Sequence, residues 1–184
     1  VDVVSVASRE ALERLLDEAK GKEFVAIHFG DSLTIAFADS REYQVVTEHS
    51  LLNTDFSFDI ILGVIKPLLE DAACPKLLHD SKQTSAMLYD YGITMKGVLF
   101  DTALAEYVIN PSEAGMSLPK LAENYGLGGS AAAIAGLYKM QEEKLKEDGL
   151  WYVYNNIEMP LTRVLLDMER TGFRIDLDEL KAHD

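Results

Sequence analysis

The ten residues KEFVAIHFGD, Lys22 to Asp31, predict the opening strand of a sheet. Their apolar run from Phe24 to Phe29 is typical of a buried strand, and Gly30-Asp31 supplies turn residues. Two further strand-like runs follow, SLTIAFAD and EYQVVTE, with the turn material Asp39-Ser40-Arg41 between them. Because links this short join neighbouring antiparallel strands, the three runs predict an antiparallel meander.

Helical and strand-like patterns alternate on both sides of this meander. Before the meander, helical spacing of apolar residues is found in REALERLLDEAK. After the meander, the same spacing is found in six stretches: FSFDIILGVIKPLLEDA, SKQTSAMLYDYG, ALAEYVIN, SLPKLAENYG, the stretch after Gly128-Gly129-Ser130, and LWYVYNNIEMPLTRVLLDMERTG. Short strand-like runs occur in KLLHD, GVLFD and the later FRID, and LDELKAHD starts a further helical pattern. Pro160 predicts a kink in the long helix that contains it. The order predicts an α/β fold, a mixed sheet with helices on both faces.

Composition limits the classes of function that the chain can have. Hydrophobic residues make up 48% of the 184 residues and charged residues 26%, which is typical of a globular protein. The formal net charge of −14 disfavours a domain that grips nucleic acid by itself, so any DNA contact is expected to be local or supplied by another domain. A signal peptide and a membrane-spanning run are not expected from the pattern. The single cysteine, Cys74, predicts a buried thiol and a cytoplasmic location.

Residues 155–180, NNIEMPLTRVLLDMERTGFRIDLDEL, carry the most specific pattern in the chain. The block I-E-x-P-L followed by E-R-x-G-x-x-I-D resembles the segment that joins the proofreading and polymerase domains in the bacterial DNA polymerase I family (family A). Three upstream stretches resemble the 3′→5′ exonuclease domain of that family in the same order: IKPLLED, YGITMKGVLFDTALAEYVINP and SLPKLAENY. The resemblance covers nearly the whole chain. It implies a ribonuclease H-like exonuclease domain followed by a long C-terminal helix.

The resemblance also implies where catalytic metal ions would bind. Proofreading members hold two divalent ions with four carboxylates, which activate a hydroxide and stabilise charge as the terminal phosphodiester is cut. The first carboxylate pair is an Asp-x-Glu on the opening strand, and alignment puts Ile27 and Phe29 at these positions. A register shifted by one residue would use Ala26 and His28 instead. Neither pair contains an acid, and Mg²⁺ prefers oxygen ligands to a lone imidazole.

The remaining two ligand positions also lack acids. In the family pattern N-x-x-x-D, Asp80 aligns with the Asn and Thr84 with the metal-binding Asp. The helical Tyr-x-x-x-Asp pattern falls near Leu127 and Ala131, after a connection that is longer in the family; a natural shortening, an engineered deletion and missing residues all remain open. The resemblance thus implies an inactive, vestigial exonuclease domain with no catalytic residue, metal ion or cofactor in this chain. Mg²⁺ and nucleotidyl transfer would belong to the polymerase domain of a parent enzyme.

Displaced acids define the main alternative. Asp31, Asp80 and Asp101 could hold metal in a residual 3′→5′ exonuclease, although all three lie at the ends of elements. For Asp80 and Asp101 the simpler prediction is that each caps a helix. A second alternative is a separate nucleic-acid-binding module of the ribonuclease D type, which the acidic composition and the polymerase-like tail disfavour.

The expected domains are a ribonuclease H-like domain over residues 1–150 and, over residues 151–184, a linker helix with the beginning of a polymerase domain. The expected partner is the polymerase domain of the same parent chain, with DNA reached only through the parent enzyme and the protein a monomer. The last helix has an apolar face that is expected to lie in an interdomain or intradomain core: Trp151, Leu161, Val164, Leu165 and Met168.

Overall fold

The fold is built on one mixed sheet of six strands. A computed structural model describes residues 1–46 and 56–172. The strands lie in the order β1-β4-β3-β2-β5-β6. Their bounds are β1 Asp2–Val6, β2 Val25–Phe29, β3 Leu33–Ala36, β4 Arg41–Val45, β5 Lys76–Leu78 and β6 Val98–Asp101.

Strand pairing confirms the predicted meander and corrects its position in the sheet. β2, β3 and β4 pair antiparallel, with Ile27 opposite Ile35 and Ile35 opposite Tyr43. β5 and β6 add in parallel beside β2. The stretch KEFVAIHFGD is the second strand of the chain, because β1 precedes it and pairs in parallel with β4. β1 escaped prediction because it is a short edge strand whose first four residues are exposed, so no buried face marks it.

Four of the helices begin after a residue whose side chain caps them. Ser8, Ser57, Asp80 and Asp101 each accept a hydrogen bond from a backbone N–H of the following first turn. The helix bounds are α1 Arg9–Ala19, α2 Phe58–Leu69, α3 Ser81–Asp90, α4 Thr102–Ile109, α5 Leu118–Asn124, α6 Ala131–Glu147, α7 Trp151–Val153 and α8 Met159–Thr171. A short 3₁₀ turn, Pro111–Glu113, follows α4.

Two hydrophobic clusters lie on opposite faces of the sheet. The first joins β2 residues Val25 and Ile27 to α1, α2 and α3. The second joins Ala26 of the same strand to α4, α5 and α6. Because successive residues of a strand point to opposite faces, this division confirms the predicted layering, with helices on both sides of the sheet.

The C-terminal helical segment is irregular near Pro160, where the sequence predicts a kink. Between α7 and α8 the backbone forms a π-helical turn, Tyr154–Glu158, and Pro160 lies in the first turn of α8. A proline there lacks the N–H that a continuous α-helix would need, so the hydrogen-bond ladder is interrupted before it. The stretches FRID and LDELKAHD, for which the sequence predicts a strand and a helix, lie outside the described residues.

Two composition-based expectations can be compared with the structure. Cys74 is buried, as predicted, and burial raises the pKa of its thiol. Within residues 1–46 and 56–172, every helix is too short or too polar to cross a membrane.

Candidate functional site

The predicted metal-binding positions lie on opposite faces of the sheet. Ile27 and Phe29 pack in the first cluster, against α1, α2 and α3. Ala131, the first residue of α6, packs with Ala26 in the second cluster. Ligands of one metal site must converge on one face, so Ile27 and Phe29 cannot share a site with Ala131. The shifted register, Ala26 and His28, is the one that faces α6.

The third position keeps the spacing of the family pattern, whereas the fourth does not. Thr84 is half-buried on α3, one turn beyond Asp80. Asp80 accepts a hydrogen bond from the N–H of Gln83 at 3.1 Å, which confirms its predicted role as a cap. Leu127 lies in the connection before α6, whereas Ala131 begins that helix. The alignment of these two residues with a Tyr-x-x-x-Asp motif on one helix is therefore not reproduced.

A buried acid that the sequence analysis missed lies where α6 begins. Glu42, on β4, is 6% exposed, and its Oε2 accepts hydrogen bonds from the N–H groups of Ser130 at 2.7 Å and Ala132 at 3.3 Å. The hydroxyl of Thr34, on β3, accepts one from Ala131 at 3.2 Å. These two side chains satisfy the first amides of α6, which every helix must leave without an intrahelical partner. The negative charge of a carboxylate is also favourable at this end of the helix dipole.

The stretch around Gly129 contains the one signal that could have pointed to Glu42. The Ser130 side chain makes no capping hydrogen bond, so α6 lacks a cap of its own. Gly129 has φ of 81°, and a Cβ there would lie 2.8 Å from Glu42 Oε2. A glycine is needed both for the backbone angle and for the close approach of the carboxylate. A helix that begins after Gly-Gly without a local cap needs an acceptor from elsewhere in the fold.

Asp101 is a shared cap for two helices. It is 2% exposed, and its Oδ1 accepts hydrogen bonds from Ala103 and Leu104 at the start of α4, at 3.0 and 3.2 Å. Oδ1 also accepts from the N–H of Asp80 at 3.1 Å, and Oδ2 from that of Ser81 at 2.7 Å, at the start of α3. The predicted capping of α4 is confirmed, and the capping of α3 by the same carboxylate is an addition from the structure.

Two half-buried histidines lie close enough to influence one another. Burial lowers the pKa of His28, and so does the nearby His79, while Glu42 opposes both effects. Burial likewise lowers the pKa of His79, against the opposing carboxylate of Asp101. His79 Nδ1 lies 2.9 Å from the Thr102 hydroxyl, and Nε2 lies 3.2 Å from the carbonyl of Met116. A neutral imidazole satisfies both contacts, with the hydroxyl donating to Nδ1 and Nε2–H donating to the carbonyl.

The acids of this region are therefore held as structural acceptors. Asp31, the third acid of the displaced-site alternative, is exposed in the turn between β2 and β3. Among residues 1–46 and 56–172, no three His, Cys, Asp or Glu side chains form a group that could hold a metal ion. The arrangement can anchor helix ends on the sheet, and it has no described set of converging carboxylates for two-metal chemistry.

Comparison with known proteins identifies the family. The family model for the ribonuclease H-like domain of DNA polymerase I matches residues 25–131. DNA polymerase I of Bacillus subtilis is 30% identical over 146 residues, which cover 64% of this chain and 17% of the relative. The chain thus spans less than a fifth of the length of that polymerase.

Solved structures share the fold. The POL domain of Pol1 from M. smegmatis, in complex with DNA primer-template and dNTP, has a TM-score of 0.75 at 24% identity, covering 98% of this chain and 34% of that one. Escherichia coli RNase D, an exoribonuclease, has a TM-score of 0.63 at 12% identity, covering 91% of this chain and 51% of that one. At these identities the likeness is one of fold. The family model, which matches more than half of the chain, shows that this protein belongs to the DNA polymerase I family and contains its ribonuclease H-like domain.

Proposed function

We propose that this ribonuclease H-like domain does not cleave DNA and acts as a structural part of a DNA polymerase I. The observation that carries the proposal is the set of side chains at the positions that the resemblance assigns to metal binding. The predicted positions Ile27, Phe29, Thr84 and Ala131 include no carboxylate, and neither does the shifted register, Ala26 and His28, which faces α6. Two divalent ions close together need several negative oxygen ligands to offset their charge.

The hydrogen bonds of the remaining acids support the same proposal. Glu42 and Asp101 bind backbone amides of α6, α3 and α4, and Asp80 caps α3. A metal ion would have to compete with these amides, and helix caps would be lost if it succeeded. The alternative, a residual exonuclease that uses Asp31, Asp80 and Asp101, would therefore need a rearrangement of two helix starts.

An exonuclease assay tests this proposal directly. A 5′-labelled single strand is incubated with the purified protein, with millimolar Mg²⁺ or Mn²⁺ and excess enzyme. We expect no shortening, because no carboxylate pair holds the metal ions that generate the hydroxide. A proofreading member of the family serves as the positive control. A 3′-end ladder that Asp80→Ala abolishes would refute the proposal, whereas a ladder that survives Asp80→Ala, Asp31→Ala and Asp101→Asn together would identify a contaminating nuclease.

An exposed apolar stripe on the last helical segment supports the proposed partner, the polymerase region of a parent chain. Four of its residues were expected in a core: Leu161, Val164, Leu165 and Met168. Within this chain these four and Ile157 are between 41% and 53% exposed. The intradomain interpretation is therefore corrected. The reason is the rotation of α8, which turns Leu166 inward and places Glu169 2.6 Å from Lys82 of α3. Trp151 is half-buried against Tyr154.

We infer that the polymerase region covers this stripe in a full-length enzyme, since the Bacillus relative is about six times longer than the matched segment. Sedimentation velocity of the chain mixed with the polymerase region of its parent enzyme tests the inference. We expect a complex that Val164→Asp weakens about tenfold or more, because the substitution puts a charge in an apolar contact. Tyr107→Asp, at an exposed tyrosine of α4, is the matched control. Self-association of the chain alone that Val164→Asp abolishes would instead assign the stripe to a second copy and contradict the predicted monomer.

A further inference from the structure

A groove of about 710 Å³ runs between α3, α8 and the stretch that leads into β6. It lies beside α8, next to the apolar stripe but on the side that faces the sheet. Its volume falls within the range of natural small-ligand sites. The walls carry hydroxyl groups from Ser81, Ser85 and Thr94. These groups can donate hydrogen bonds to oxyanions.

The groove is cationic in a strongly acidic protein. Lys82, Lys96, Arg163 and Arg170 line it, and among the lining residues that the structure describes Asp167 is the single acid. Lys82 is paired with Glu169, whereas no ion pair is found for Lys96 or Arg163 within the part of the chain that the structure describes. Glu70 acts electrostatically on Lys96, but its carboxylate is held by the N–H of Thr94 and by Lys66. A local excess of positive charge against a net charge of −14 is unusual for a plain solvated surface.

Arg170 is held in place on one wall of the groove. Its guanidinium carbon lies 4.2 Å from the centre of the Tyr89 ring, and one terminal nitrogen donates to the carbonyl of Ser85 at 3.3 Å. The other terminal nitrogen is 3.9 Å from Asp167. Its Nε is buried and has no hydrogen-bond partner. A planar guanidinium that is already ordered loses little freedom when it binds an oxyanion.

We propose that this groove binds a phosphate group, carried by a nucleotide or by the backbone of a single strand. Lys96 and Arg163 supply positive charge that no acid in the described residues pairs with, Arg170 supplies an ordered guanidinium, and the hydroxyl groups complete the set of donors. None of the predicted metal-binding positions Ile27, Phe29, Thr84 and Ala131 lines the groove, so the proposal does not depend on whether the domain cleaves DNA.

Binding measurements on the whole 184-residue chain at low salt test the proposal. The probes are inorganic pyrophosphate, a 5′-deoxynucleoside monophosphate and a 5′-phosphorylated ten-nucleotide strand of thymidines. We expect binding of at least one probe, with a shift of the Arg170 Nε–H resonance on its addition. The double variant Lys96→Gln/Arg163→Gln should weaken binding about fivefold or more. For the strand, it should also lower the slope of log K against log salt by about 1.4, which corresponds to two lost phosphate contacts.

The matched control is Lys120→Gln/Lys139→Gln, which removes the same charge from α5 and α6 outside the groove. If pyrophosphate or the monophosphate binds as strongly as the strand, the site is assigned to a small phosphate ligand. If the strand binds more strongly, the site is assigned to a nucleic-acid backbone. The proposal is overturned if no probe binds at millimolar concentration. It is also overturned if the two double variants lose affinity equally.

Discussion

Replacement of Asp101 by alanine is expected to destabilise the protein by about 4 kcal/mol, because one carboxylate caps two helices. The variant leaves four backbone N–H groups at the starts of α3 and α4 without their acceptor, in a buried or partly buried site. For a chain of this length the melting temperature should fall by about 10 °C. Thermal and urea unfolding followed by circular dichroism measure the effect.

Asp101→Asn separates the hydrogen-bond acceptor from the charge. With its amide oxygen in the place of Oδ1 it can still accept from Asp80, Ala103 and Leu104, but its NH₂ group would face the N–H of Ser81, so we expect a loss of about 2 kcal/mol. Asp90→Asn, at an exposed aspartate at the end of α3, is the control and should change stability by less than about 0.5 kcal/mol. Equal stability of Asp101→Ala and the parent protein would show that the two helix starts do not depend on this carboxylate.

Replacement of Tyr154 by alanine should cost a similar amount, about 4 kcal/mol, through a large cavity. Tyr154 is fully buried, with its ring 4.8 Å from that of Phe100. Its hydroxyl accepts a hydrogen bond from the Asp101 N–H at 2.8 Å and lies 3.3 Å from the carbonyl of the same residue. Tyr154→Phe should lose about 1–2 kcal/mol, because that N–H is left without a partner.

Tyr152→Ala provides the matched control, two residues away on the same segment and 67% exposed. It should be neutral within about 0.5 kcal/mol. A single cooperative transition that shifts in Tyr154→Ala would mean that the first domain extends beyond residue 150, the predicted boundary. If instead Tyr154→Ala leaves the main transition unchanged and only frees the last helical segment, the predicted division at residues 150 and 151 is supported.

Local sequence signals account for most of the elements. Ser8 and Asp80 stand at helix starts because a short polar side chain can cap the first turn, and this rule needs only neighbouring residues. The meander β2–β3–β4 follows from apolar runs separated by short turns. β1 gave no such signal, since an exposed edge strand shows no buried periodicity.

The candidate site was harder to predict because its parts come from distant segments. The sequence register that placed Ile27 and Phe29 at a metal site is one residue from the register that faces α6, and a slip by one residue moves every side chain to the other face. Only the packing of Ala26 with Ala131 distinguishes the two registers. The exposed stripe of α8 was equally ambiguous, because helical periodicity identifies an apolar face without saying what covers it.

By itself the sequence determined the family, the types of most elements and the local caps, and it predicts that no carboxylate stands at the metal-binding positions that the resemblance implies. The tertiary structure decided that Glu42 caps α6 from 88 residues away, that Asp101 serves two helices, and that four cations gather around one groove. The physical reason is that capping and periodicity act over a few residues, whereas strand order and helix rotation bring together side chains that no local pattern connects.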